Sequence, residues 1–199
     1  MIIAIEGAEY TGKTTVVSGL QKLGYTTRRQ PEVPLTRKFI KGALLHDENC
    51  PSHVLALAYA LDRAYAEYIA PFGEGDVTIT DRSIFSSLIM QQDDDRVSSD
   101  YIYLINRFTT IPDLVIWLRA KPHTILERIE IKNNGRTVED LHDAHAIHWL
   151  NKYEQWINKP YTLGLHTIFT SVHVDNKSEK EILDDVVGRI TRFVKTATP

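Results

Sequence analysis

A single cysteine, Cys50, stands in a chain of 199 residues. No internal disulfide can form, no Cys/His spacing of the zinc-binding kind surrounds it, and a reduced, cytoplasmic setting is expected. Basic residues are in no excess: 23 Lys and Arg against 26 Asp and Glu leave a net charge of −3. That excludes the broad basic face which nucleic acid or an anionic membrane surface requires, so cations are expected to act locally, on individual phosphates. No apolar run approaches the ~18 residues of a membrane span. With an apolar run starting at Ile2, no signal peptide is expected. Repeats and low-complexity tracts are missing too. The acidic run Asp93, Asp94 and Asp95 falls in a polar connector and reads as a solvated loop. His142, His145 and His148 recur every three residues on an expected helix, without a further ligand, and read as a helix face rather than a metal site.

What the chain does have is alternation. Its length and 43% hydrophobic content suit one globular domain over 1–199. Apolar β-type runs fall at 2–5, 25–28, 77–80, 114–118 and 167–174. Helical spacing fills 13–23, 35–45, 53–70, 84–91, 98–109, 123–132, 138–158 and 178–195, and Pro31, Pro34, Pro51, Pro71, Pro112, Pro122 and Pro160 read as turn punctuation. The alternation predicts an α/β fold in three layers, a five-stranded parallel sheet flanked by helices.

The first run leads straight into Gly7-x-x-x-x-Gly12-Lys13-Thr14, followed by a helix. That is the context a phosphate-binding P-loop needs. Glycine at 7 and 12 lets the backbone wrap a polyphosphate with several N–H groups turned inward. Lys13 can reach β- and γ-phosphates, and Thr14 can offer its hydroxyl to Mg²⁺. Asp81-Arg82 ends the third apolar run. A carboxylate there points to the same sheet edge as the P-loop and can organise Mg²⁺, while Arg82 offers a fork matched to a phosphate.

The stretch from Ala58 through Tyr59, Asp62-Arg63 and Glu67 to Pro71, then Gly75 to Arg82, and Ser86-Ser87-Leu88 to Gln91, resembles the thymidylate kinase family. So do 111–118 and Leu126-Glu127-Arg128, more distantly. The resemblance implies transfer of the γ-phosphate of ATP to a deoxynucleoside monophosphate, dTMP first of all, by a homodimer whose candidate surface is the helix from His53. It implies that Gly7, Gly12, Lys13, Thr14, Thr15, Arg128 and Asn176 bind ATP, and that Thr14 and Asp81 serve Mg²⁺. Acceptor residues implied are Glu9 on the sugar hydroxyl, Tyr59 stacked on the base, Arg63 and Gln91 at its edge, and Arg82, Ser86 and Met90 around it. Tyr59 and Arg63, four apart on a helix, share a face, which suits that pairing. Tyr10 stands where some members carry a catalytic arginine, so that duty passes to a small lid over 131–137, near Arg128 and Lys132. Arg136 is the expected finger, with Gly135 beside it. Lys13, Asp81, Arg82 and Arg136 are thus the expected catalytic set.

Two departures stand out: Glu32-Val33-Pro34 follows Arg29-Gln30-Pro31 where the family continues with glycines, and Met90 replaces a common aromatic. Asp81 to Ser86, Asp113 to Arg119 and Trp149 to Trp156 are also similar to deoxynucleoside kinases, which phosphorylate a nucleoside hydroxyl. Glu9 and the Asp62-Arg63 helix favour the monophosphate acceptor. A P-loop switch is disfavoured because no Asn-Lys-x-Asp motif occurs.

Overall fold

The computed structural model describes residues 1–46, 50–73, 77–93, 97–132, 140–158 and 166–197. Five strands, β1 (Ile2–Glu6), β2 (Thr26–Arg29), β3 (Thr78–Asp81), β4 (Leu114–Arg119) and β5 (Ile168–His173), form one sheet in the order β2-β3-β1-β4-β5. Every ladder is parallel, with Ile3 level with Ile79 on one side and Leu114 on the other. The expected architecture is therefore the observed one. Helices α1 (Lys13–Lys22), α2 (Pro34–His46), α3 (Ser52–Ile69), α4 (Ile84–Met90), α5 (Ser99–Ile105), α6 (Pro122–Lys132), α7 (Asp140–Ile157) and α8 (Glu179–Ala197) supply the crossovers. β1 and β4 are buried almost throughout because a parallel strand is covered on both faces. Between strands β4 and β5 and helices α4 and α7, the rings of Phe85, Trp117, Tyr153, Trp156 and Phe169 meet edge-on, tilted or stacked at 5.1–6.5 Å.

Several boundaries differ from expectation for local reasons. Pro34 and Pro122, read as turn punctuation, are the first residues of α2 and α6, where a missing N–H costs nothing. The N-terminus of α2 is held by the buried carboxylate of Asp62, which accepts from the N–H groups of Glu32 and Val33 at 2.8 Å and from the Thr36 hydroxyl at 2.5 Å. The expected helix over 98–109 stops at Ile105. There the Asn106 carboxamide donates back to the Ile102 carbonyl while its oxygen accepts from Arg63, and Thr109 folds onto Asn106. The lid residues 133–137, including Gly135 and Arg136, lie outside the described residues, as do Asp94 and Asp95.

Candidate active site

β1 ends at Glu6, and the chain turns through the loop 7–12 into α1. Gly7 has φ 149°, and a Cβ there would sit 2.7 Å from the Leu118 carbonyl oxygen and 2.9 Å from Thr11 Oγ1. Gly12 sits at φ 96° as the cap of α1, a conformation that disfavours any side chain. Thr11 donates to the Ala8 carbonyl, and so does Lys13 Nζ at 2.6 Å, which places the ammonium group inside the curve of the loop. Burial, and then the charge of Arg82, lower the Lys13 pKa to about 7, opposed by Asp81, Glu6 and Glu9. A cavity of about 840 Å³ opens over this loop, walled by Thr14, Thr15, Asp81, Arg82 and Arg128 among others. It is large enough for a nucleoside triphosphate. Arg128, on α6, donates to the Tyr10 carbonyl at 3.0 Å and so lies across the loop. At the far wall stand Glu179 and Ile182 of α8, two residues the sequence reading missed. Asn176 instead forms the left-handed corner (φ 55°) of the preceding loop.

Beside this cavity is a smaller one, of about 100 Å³. All seven expected acceptor residues line it: Glu9, Tyr59, Arg63, Arg82, Ser86, Met90 and Gln91. Gln30, Leu44 and Ser87 complete the wall without having been assigned there. Glu9 and Arg82 border both cavities. The geometry is two adjoining cavities that share one acidic and one basic side chain.

Individual residues have distinct surroundings. Arg63 is buried, and its fork is largely spent on the protein: Nε donates to Gln30 (2.8 Å), Nη1 to Asn106 (2.7 Å), and Nη2 to the Ser83 carbonyl (3.3 Å) and the Ser87 hydroxyl (2.5 Å). Its guanidinium also lies 5.9 Å from the Tyr59 ring centre. Burial brings its pKa down to about 10, against the pull of Glu6, Tyr59, Asp62 and Glu67. Arg63 thus lines the smaller cavity with its fork hydrogen-bonded to four neighbouring residues. Gln91 is buried and its Oε1 has no partner among the described residues, so a ligand edge is the acceptor's natural complement. Asp81 keeps one oxygen 3.5 Å from Arg29 and leaves Oδ1 without a hydrogen bond among the described residues. Together with the exposed Thr14 hydroxyl in the same cavity, it makes an all-oxygen donor set that suits Mg²⁺.

The largest omission is Glu6. It is fully buried and accepts from the Ser83 and Ser86 hydroxyls, each at 2.7 Å. Burial raises its pKa, with Arg82, Ser83, Ser86 and Lys13 holding it down. Arg82 adopts φ 74°, a strained value for a non-glycine residue, and its backbone N–H reaches the Ile5 carbonyl at 3.2 Å. Its charge is opposed by burial, an effect that Tyr153, Glu6 and Asp81 outweigh. A carboxylate closing an otherwise apolar central strand was the signal available in the sequence.

A family model described as thymidylate kinase matches residues 5–179. The chain is similar to the probable thymidylate kinase of Pyrobaculum aerophilum, 36% identical over 199 residues and 97% of each chain. It is also similar to the thymidylate kinase of Clostridium novyi, 33% identical over 77% of this chain and 80% of that one. Among solved structures, thymidylate kinase from Ehrlichia chaffeensis superposes with a TM-score of 0.67 at 15% identity, covering 96% of this chain and 98% of that one. A deoxyadenosine kinase from M. mycoides gives 0.66 at 23%, covering 96% and 100%. At those identities the two superpositions speak for the fold.

Proposed function

The chain belongs to the thymidylate kinase family, and from that premise we propose how its residues divide an ATP-dependent phosphoryl transfer to dTMP. ATP occupies the larger cavity, with its phosphates in the loop 7–14 and Lys13 against the β- and γ-oxygens. Thr14 and Asp81 would hold Mg²⁺, which when bound would supply charge neutralisation on the phosphates. The acceptor dTMP occupies the smaller cavity. Tyr59 stacks on its base, the Gln91 amide meets the base edge, Glu9 takes the sugar hydroxyl, and Arg82 takes the phosphate. Arg63, Ser86 and Met90 shape that pocket. Arg128 and Thr15 bind the donor, Asn176 holds the loop beside its base, and Arg136 keeps the lid role implied by the sequence. Because phosphoryl transfer passes through a loose, charge-spread state, positioning and neutralisation supply nearly all the catalysis.

The observation that carries this reading is the meeting of the two chambers at Glu9 and Arg82. Arg82 gives the acceptor chamber a strong cation at its mouth, which suits a substrate already bearing a phosphate. A coupled assay with ATP and, in turn, thymidine, dTMP, dUMP, dGMP and dCMP tests it. The expected result is turnover of dTMP to dTDP ahead of the others. Robust phosphorylation of thymidine, with dTMP acting only as an inhibitor, overturns it in favour of a deoxynucleoside kinase.

We further propose a homodimer. The outer face of α3 exposes Leu57, Leu61, Tyr65 and Tyr68, with Leu35 and Phe39 of α2 beside them in sequence order, a density of apolar side chains that favours burial against a second copy. Among the described residues no helix is long and apolar enough to cross a membrane. The lone cysteine and the use of ATP support a cytoplasmic setting.

A further inference from the structure

Arg82 is not free to swing. Its Nη1 donates to the Tyr153 hydroxyl at 3.0 Å and to Ser86 Oγ at 3.2 Å, with Met90 Sδ at 3.7 Å. Nε and Nη2 make no hydrogen bond among the described residues. The guanidinium is therefore anchored through Nη1, which leaves Nε and Nη2, an edge that fits a phosphate bidentately, without a hydrogen bond among the described residues in a side chain that lines both cavities.

The anchor has a defined foundation. The Tyr153 hydroxyl lies 3.2 Å from Ser86 Oγ and 3.5 Å from Glu6 Oε2, and Ser86 itself donates to Glu6. A buried carboxylate on β1 and a cation at the end of β3 are thus joined through two hydroxyls, with Glu6, Ser86, Tyr153 and Arg82 Nη1 as successive partners. Removing one link from such a network leaves its neighbours poorly satisfied. The Tyr153 ring packs edge-on against Trp117 at 5.7 Å, and the next residue, Glu154, holds Arg119 at the end of β4 through both carboxylate oxygens. α7 is thereby keyed to the sheet on both sides of the tyrosine.

We infer that Tyr153 is a positioning residue for the acceptor phosphate: it fixes the rotation of the Arg82 guanidinium, with Glu6 as the buried counter-charge behind it. This rests on the reading of Arg82 as the acceptor-phosphate group. Sequence alone makes Tyr153 an ordinary core aromatic, since Ala146, Leu150 and Tyr153 share the buried stripe of α7. The hydroxyl is what packing does not explain.

Tyr153→Phe keeps the ring and removes the hydroxyl, so the thermal midpoint serves as a control on folding. The expected result is a rise of about tenfold in KM for dTMP, the loss of one hydrogen bond to a charged group. KM for ATP should stay unchanged, and so should the inhibition constant of thymidine, which lacks the phosphate. In the Arg82→Ala background the tyrosine substitution should add nothing. Equal weakening of dTMP and thymidine, or an unchanged KM for dTMP beside a clearly weakened Arg82→Ala, overturns the role of Tyr153 alone. An unchanged KM in Arg82→Ala itself overturns the acceptor-phosphate reading and this inference with it.

Discussion

Lys13 carries an ammonium group into a wall where burial, followed by the charge of Arg82, lowers its pKa from 10.5 to about 7. A polyphosphate beside it favours the charged form, so its pKa rises in the complex. Between the two values binding takes up a proton, and affinity for ATP must fall as pH climbs from about 7. Calorimetry in two buffers of different ionisation enthalpy should register that uptake, and Lys13→Met should abolish it while slowing turnover roughly a hundredfold or more. Arg63 leads to a different expectation. The resemblance implies a reader of the base, and its removal would then alter only the ranking among bases. Four of its N–H bonds go instead to Gln30, Asn106, Ser83 and Ser87. Arg63→Ala should lower stability by roughly 2 to 3 kcal/mol, because buried partners lose their donor, and the midpoint by about 4 to 12 °C. Acceptor binding should weaken for dTMP, dUMP and dGMP alike; a selective change at one base, with stability intact, would restore the reader. Residues whose chemistry announces itself, such as Lys13, Asp81 and Arg82, were legible in the sequence. Glu6 and Tyr153 were not, because each is defined by partners about 70 or more positions away.

Helix ends show the same division at the scale of elements. The glycine-framed entry to α1 was legible because its φ values demand it. Pro34 and Pro122 misled because a proline that ends one helix also starts another well. The early stop of α5 depended on Arg63 reaching Asn106 from α3, a tertiary effect no local pattern carries. α8 offers a test. Ser178 and Glu181 form a reciprocal cap, with Ser178 N–H and Oγ donating to Glu181 at 2.8 and 2.7 Å and Glu181 N–H returning to Ser178 Oγ at 3.3 Å. Ser178→Ala should cost about 1 kcal/mol and lower the midpoint by about 2 to 4 °C. Because Glu179 and Ile182 of the same first turns wall the donor chamber, KM for ATP should rise while KM for dTMP holds. Steady-state kinetics with each substrate varied in turn separates the two.

At the scale of the molecule, the five-stranded parallel sheet followed from alternation, whereas its strand order and the adjoining of two cavities required coordinates. α3 faces both ways: Asp62 is buried against the start of α2 and Arg63 in the wall of the smaller cavity, while Leu61 and Tyr68, 60% and 80% exposed, point out. Leu61→Glu should shift sedimentation from dimer toward monomer without touching the inner face. A monomeric parent protein would remove the basis for that expectation. The strand order also sets a timetable. β1, the central strand, pairs Ile2 with Thr78 and Ile3 with Leu114, so neither of its ladders can close until distant segments arrive, and among the described residues no hairpin offers a local start. Loop-closure entropy must be met before any strand contact returns free energy, which places refolding in the slow, non-local regime rather than the microsecond one of helical bundles. During synthesis the apolar run of β1 leaves the ribosome before either of the strands it pairs with, β3 and β4. The strand that leads into the loop 7–12 is therefore also an apolar stretch left uncovered while the chain is being made, the condition under which nascent chains aggregate without shelter.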